Sequence, residues 1–142
     1  MRYKIFLLTI IVAISPLIVH GKNLRSLRDQ LAKQGFTGML EGKVHFFRLG
    51  TLQCNNTKLS VYYYEWEESH PPGKAIHAAY RILFMSPTFD YLGSYHVSDR
   101  PIKTGPSTIS FNYPEADGNI LQCDVDGLPK QVLLDGDRLL EK

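Results

Sequence analysis

The sequence predicts a mostly β domain: an antiparallel meander of about seven strands, forming a barrel or a sandwich, with one amphipathic helix ahead of it. Three observations carry this expectation. Short runs rich in β-branched and aromatic residues recur from Lys43 onward, separated by Gly, Pro, Asn and Asp clusters. One stretch, Asn23 to Gln34, has a clear helical period. Two cysteines, Cys54 and Cys123, lie about 70 residues apart and are placed to tie an early strand to a late one.

The chain starts with Met-Arg-Tyr-Lys, followed by an apolar run from Ile5 to Val19. A positive flank, a short apolar core and a small-residue exit around Val19-His20-Gly21 make the three-part layout of a cleaved secretory signal, residues 1–21. The run is shorter than the ~20 residues that span a bilayer, and Pro16 disfavours helix near its end. The expectation is therefore a secreted or periplasmic mature domain, residues 22–142, with no stable membrane insertion after cleavage.

Loss of the signal removes Arg2 and Lys4 and leaves 14 basic residues against 14 acidic ones. The basic character of the full chain thus belongs to the signal, and no case for a nucleic-acid partner remains. The mature charge is uneven, with a net of +4 over residues 22–57 and −4 over 58–142. Such a bipolar surface can orient a charged partner.

In the helix, Asn23 is the expected N-cap, Leu24, Leu27 and Leu31 form the apolar stripe, and Gly35 takes the left-handed C-terminal position. Strands are then expected from Lys43 to Cys54, Lys58 to Glu68, Lys74 to Met85, Phe89 to Val97, Ser107 to Tyr113, Asn119 to Val125 and Leu128 to Leu134. Lys74 to Met85 is ambiguous by period. Ile76, Ala78, Tyr80, Ile82 and Phe84 alternate as in a strand, and the preceding turn, Ser69 to Gly73, favours a hairpin with the strand before it. Gly93 suggests a bulge. Asp126-Gly127 is a two-residue hairpin signal, Pro129 points to an edge strand, and Asp135-Gly136 is a last turn.

An even pair of cysteines in an exported chain pairs as a disulfide, here Cys54–Cys123. Their spacing matches no zinc pattern, and His45, His70, His77 and His96 form no close pair, so no metal or other cofactor is expected. The Asp124-x-Asp126-Gly127 fragment lacks an EF-hand's first ligand and closing glutamate. Asn55-Asn56-Thr57 is a glycosylation sequon, which matters only in a eukaryotic secretory pathway.

The densest candidate site is Val61 to Glu68. In a strand, Tyr62, Tyr64 and Trp66 share one face, while Tyr63, Glu65 and Glu67 share the other. The glutamates mark the second face as solvent-facing. Tyr63, Glu65, Glu67, Glu68 and His70 then make a possible recognition surface, and Tyr62, Tyr64 and Trp66 make core. No serine-hydrolase elbow, phosphate loop or dinucleotide fingerprint is present, so no catalytic residue is assigned. The leading expectation is a small exported binding protein with a protein partner, an inhibitor or immunity protein acting on an envelope toxin or hydrolase. The alternative is a carrier of a small apolar ligand. A helix followed by a meander resembles the lipocalins in outline, but their Gly-x-Trp near the first strand is absent, since the single tryptophan is Trp66. A hydrolase comes last.

Overall fold

The computed structural model describes residues 20–68, 77–113 and 119–142. The expected signal therefore lies almost wholly outside the described residues, as do His70 and the turns at 69–73 and 114–118.

Helix α1, His20–Lys33, comes first. It already includes Asn23, so Asn23 sits within the helix and is not its cap. At the other end Gly35 has φ +80°, and the Phe36 amide returns to the Leu31 carbonyl at 3.2 Å. This is the left-handed stop that a side chain with Cβ would resist. Leu27 and Leu31 are fully buried, as their spacing requires.

Four strands follow: β1 Lys43–Cys54, β2 Thr57–Glu67, β3 Ala78–Met85 and β4 Tyr91–His96. They form one antiparallel meander in the order β1-β2-β3-β4. The ambiguous stretch is thus a strand over Ala78–Met85. Three short strands, β5 Lys103–Thr104, β6 Ile109–Ser110 and β7 Ile120–Leu121, make a second sheet, and β8 Gln131–Leu134 with β9 Gly136–Leu139 makes a hairpin. The expected strands after residue 106 are shorter than anticipated. β5 lies in a stretch expected to be loop, and β9 follows the last expected turn. Among the described residues the sheets stay separate and close no barrel.

Both faces of the large sheet are covered. On one, α1 and Phe36 pack on Tyr62, Tyr64, Leu83 and Met85. On the other, Val61, Tyr63, Ile82, Phe84 and Tyr95 meet Ile109, Phe111, Leu121, Val132 and Leu134 from the smaller sheets. Double coverage explains why β3 reads as a nearly continuous apolar run.

The C-terminal segment is fastened to both edges of the sheet. At the β1 edge Cys54 is bonded to Cys123, with Cα atoms 5.2 Å apart. At the β4 edge Ser94 and Glu141 exchange backbone hydrogen bonds, both 2.9 Å. Gly93 makes that second approach possible. Its φ is +144°, and a Cβ there would lie 2.6 Å from Leu140 Cδ1 and 2.9 Å from the Glu141 carbonyl oxygen. The β4 bulge beside it is confirmed: Gly93 faces Phe84, whereas Tyr91 faces Met85.

Candidate functional site

The β1–β2 hairpin ends at Cys54 and Thr57, with Asn55-Asn56 at its exposed tip. Asn55 has φ +54°, a left-handed conformation that asparagine tolerates better than most residues. The disulfide brings residue 123, and the turn after it, against this tip. The expected turn is present but is centred one residue earlier, on Val125-Asp126. Asp124 and Gly127 exchange backbone hydrogen bonds, the Asp124 amide to the Gly127 carbonyl at 2.9 Å and the Gly127 amide to the Asp124 carbonyl at 3.2 Å. Asp124 decides the register, because its Oδ1 accepts the Asp126 amide at 2.9 Å, as aspartate does at the start of a tight turn. The hairpin tip adds a further tie: Asn55 Nδ2 donates to the Val125 carbonyl at 3.1 Å.

These bonds fix the backbone of the turn and leave the Val125 side chain outside. Val125 is 88% exposed, between two exposed aspartates. A disulfide, an aspartate side-chain bond and a cross-hairpin bond hold up a single apolar side chain. Behind the turn lies a cleft of about 440 Å³ whose lining includes Leu59, Leu92, Leu128, Leu140, Asp126 and Lys142.

The recognition surface expected on β2 is arranged differently. Alternation places Tyr63 with Glu65 and Glu67, as expected, but Tyr63 is only 2% exposed. The smaller sheets cover that face over its first half, so Tyr63 belongs to the core and is not a solvent-facing contact. Its ring stacks on Tyr80, centroids 6.2 Å apart, and burial holds its phenol well above the usual range. Arg100 lies 5.0 Å over the Tyr63 ring and 4.2 Å over Phe47, and its guanidinium is 3.5 Å from Glu65. Glu67 pairs with Lys43, a bond that lowers the Glu67 carboxyl. Glu68 is exposed at the end of β2, and its amide donates to the His77 carbonyl at 2.8 Å. Of the described members of the expected surface, Tyr63 is buried, Glu65 and Glu67 are paired with Arg100 and Lys43, and the Glu68 side chain stays exposed.

A third cluster had no signal in the sequence. Arg81, 8% exposed at its side chain, bonds through Nη1 to Glu141 Oε2 at 2.7 Å and to Thr37 Oγ1 at 3.0 Å, with Ser94 Oγ at 3.4 Å. Its guanidinium also lies 5.2 Å over the Phe36 ring. His96 Nε2 is 3.2 Å from the other Glu141 oxygen. Burial, and next the Arg81 charge, lower the His96 imidazole below its ordinary value. Burial alone would raise the Glu141 carboxyl. The Thr37 bond and the charges of Arg81 and His96 outweigh it, and the carboxyl is lowered. Ser94 is fully buried. The cluster acts as a latch on the C-terminal segment.

Among the described residues, no group of three His, Cys, Asp or Glu could hold a metal ion, and no helix is long and apolar enough to cross a membrane. The disulfide suits an oxidising compartment, extracellular or periplasmic. No family model, no curated protein and no solved structure matches the chain.

Proposed function

We propose that this chain is an exported binding protein that engages another protein through its disulfide-tied end, as an inhibitor or immunity protein of a secreted or envelope enzyme does. One observation carries the reading: the Asp124–Gly127 turn presents Val125 at 88% exposure on a backbone that the disulfide and the Asn55 bond hold still. A rigid turn avoids part of the ordering cost of binding, so a small apolar anchor on it contributes more than on a mobile loop. Asp124 and Asp126 flank the anchor and favour a partner whose pocket has a basic rim. The carrier reading has less support, because Leu52, Ile82, Phe84, Tyr95 and Ile109 fill the space between the two β layers, where a lipocalin-like ligand would sit.

Site-specific photo-cross-linking tests the proposal. A photoreactive residue in place of Val125 should give a discrete protein adduct in secreted or envelope extract, and the same residue at exposed Lys103, in the second sheet, should not. The purified partner should bind Val125→Asp at least tenfold more weakly than the parent. Equal adducts from both positions, or unchanged affinity of Val125→Asp, would overturn the reading.

A further inference from the structure

We infer that the cleft behind the Val125 turn receives an apolar side chain borne on an extended peptide, so that the two proteins exchange anchors: Val125 enters the partner, and a residue of the partner enters here. The inference rests on the protein-binding reading and adds the chemistry of what fills the cleft.

Volume comes first. About 440 Å³ lies within the range of small-ligand clefts and exceeds what one leucine or phenylalanine side chain occupies, which leaves room for adjoining backbone. The lining chemistry comes next. Leu59 is buried, while Leu92, Leu128 and Leu140 are only half-buried, and all four line the cleft. Three leucines keep part of their surface uncovered beside one concavity, and an apolar group would cover it.

The remaining lining residues select the head group. Asn55, Thr57 and Ser86 offer neutral donors and acceptors, while Asp126 and Lys142 bring one charge of each sign. With both signs on one rim, a fatty acid whose carboxylate is drawn to Lys142 also meets Asp126, and an alkylammonium drawn to Asp126 also meets Lys142. The group that suits a balanced rim is uncharged and both donates and accepts, which describes the peptide amide. The cleft also adjoins the turn, since Asp126 and Gly127 belong to both. One extended segment of the partner, passing Val125, can therefore reach it.

Methyl NMR of the full chain supplies the test, with N-acetyl-leucine methylamide as probe, N-acetyl-glycine methylamide as the control without a side chain, and octanoate as the anionic apolar control. The leucine probe should shift the methyls of Leu59, Leu92, Leu128 and Leu140 saturably. The glycine probe should not shift them, and octanoate should need at least fivefold higher concentration. Thr57→Trp, which places an indole at the exposed edge of the cleft, should abolish the shifts while keeping the dispersed spectrum of the folded chain. If that variant does not fold, Lys142→Trp serves the same purpose from the exposed rim of the cleft. Absence of shifts with the leucine probe, or octanoate binding as well as it does, overturns the inference. The two readings fail separately. A Val125 adduct that persists beside a silent cleft overturns only the exchange of anchors. Cleft shifts without a Val125-specific adduct overturn only the proposed use of the turn.

Discussion

The C-terminal segment is held to the large sheet in two places, and the two fastenings differ in kind. At the β1 edge a covalent bond joins Cys54 and Cys123, a sequence separation of 69. At the β4 edge a backbone bridge to Ser94 is reinforced by Arg81, Thr37 and His96 gathered on the Glu141 carboxylate. The first works mainly by restricting the unfolded chain and is indifferent to pH and salt. The second works in the folded state and depends on charge. The end that must present an exposed turn has the fastening that needs no burial around it. The end that lies under Phe36 has the one that needs a protected site. Rigidity at a protein's surface and rigidity in its interior call for different chemistry.

Breaking the covalent fastening should have the largest effect. Closing a loop of about 70 residues is worth ~4 kcal/mol in the chain-entropy account. Cys54→Ser, or reduction, should therefore lower unfolding stability by up to that amount in a denaturant melt. It should also free the turn, so that the amides of residues 124–127 exchange faster with solvent than in the parent. A loss of stability with no change in that exchange would mean that Asn55 and Asp124 alone hold the turn.

Arg81→Met should come second. Removing one partner of a largely buried ion pair typically costs 3–5 kcal/mol. Glu141 keeps 36% of its side chain exposed and can recover water, so the low end, about 3 kcal/mol, is the expected loss. In an equilibrium melt the double variant, with Cys54→Ser, should show the sum of the two losses, because the fastenings share no residue. A strongly non-additive result would mean that the segment docks as one cooperative unit, and the comparison of two separate fastenings would fail.

The two regions also differ in how far the sequence revealed them. An even cysteine count and the expectation of export were enough to pair Cys54 with Cys123, and Asp-Gly marked a turn near its true position. The exposure of Val125 was not readable, because it depends on Asn55, 70 residues away, donating to its carbonyl. Alternation through Tyr62, Tyr63 and Tyr64 assigned the faces of β2 correctly, yet it misjudged Tyr63. Period 2 tells which side a residue takes, not whether Ile109, Phe111 and Leu121 will arrive to cover that side. β5 and β9, at two and four residues, are too short to carry a period at all. The Arg81 cluster collects Thr37, Ser94, His96 and Glu141 from three separate segments, and no local pattern announces it.

The smallest expected effect separates the fastenings by pH. His96 has a folded-state value below its ordinary one near 6.5, so acid favours the unfolded chain, which takes up the proton first. The contribution of His96 is whole above about pH 6.5 and declines as pH falls toward the lowered value. Glu141 acts in the same direction at lower pH: its carboxyl is held below 4.5, so the stability it supplies is present above that value and is lost as pH falls through its folded one. Stability measured by denaturant midpoint should thus decline on acidification in two steps. His96→Gln should flatten the upper step and shrink the lower one without removing it, because Thr37 and Arg81 still hold Glu141 low. Glu141→Gln should lower stability above about pH 4.5, approach the parent's stability in stronger acid, and so flatten the lower step. The groups facing His96 are Arg81, Glu141 and Arg138, and Glu67, the other carboxylate held low, sits with Lys43 on the opposite face of the sheet and stays constant across these variants. The disulfide should contribute equally at every pH, so Cys54→Ser should shift the whole profile without changing its shape. A His96→Gln profile that matches the parent's would remove the histidine from the latch and leave Arg81 and Glu141 as its ionic parts.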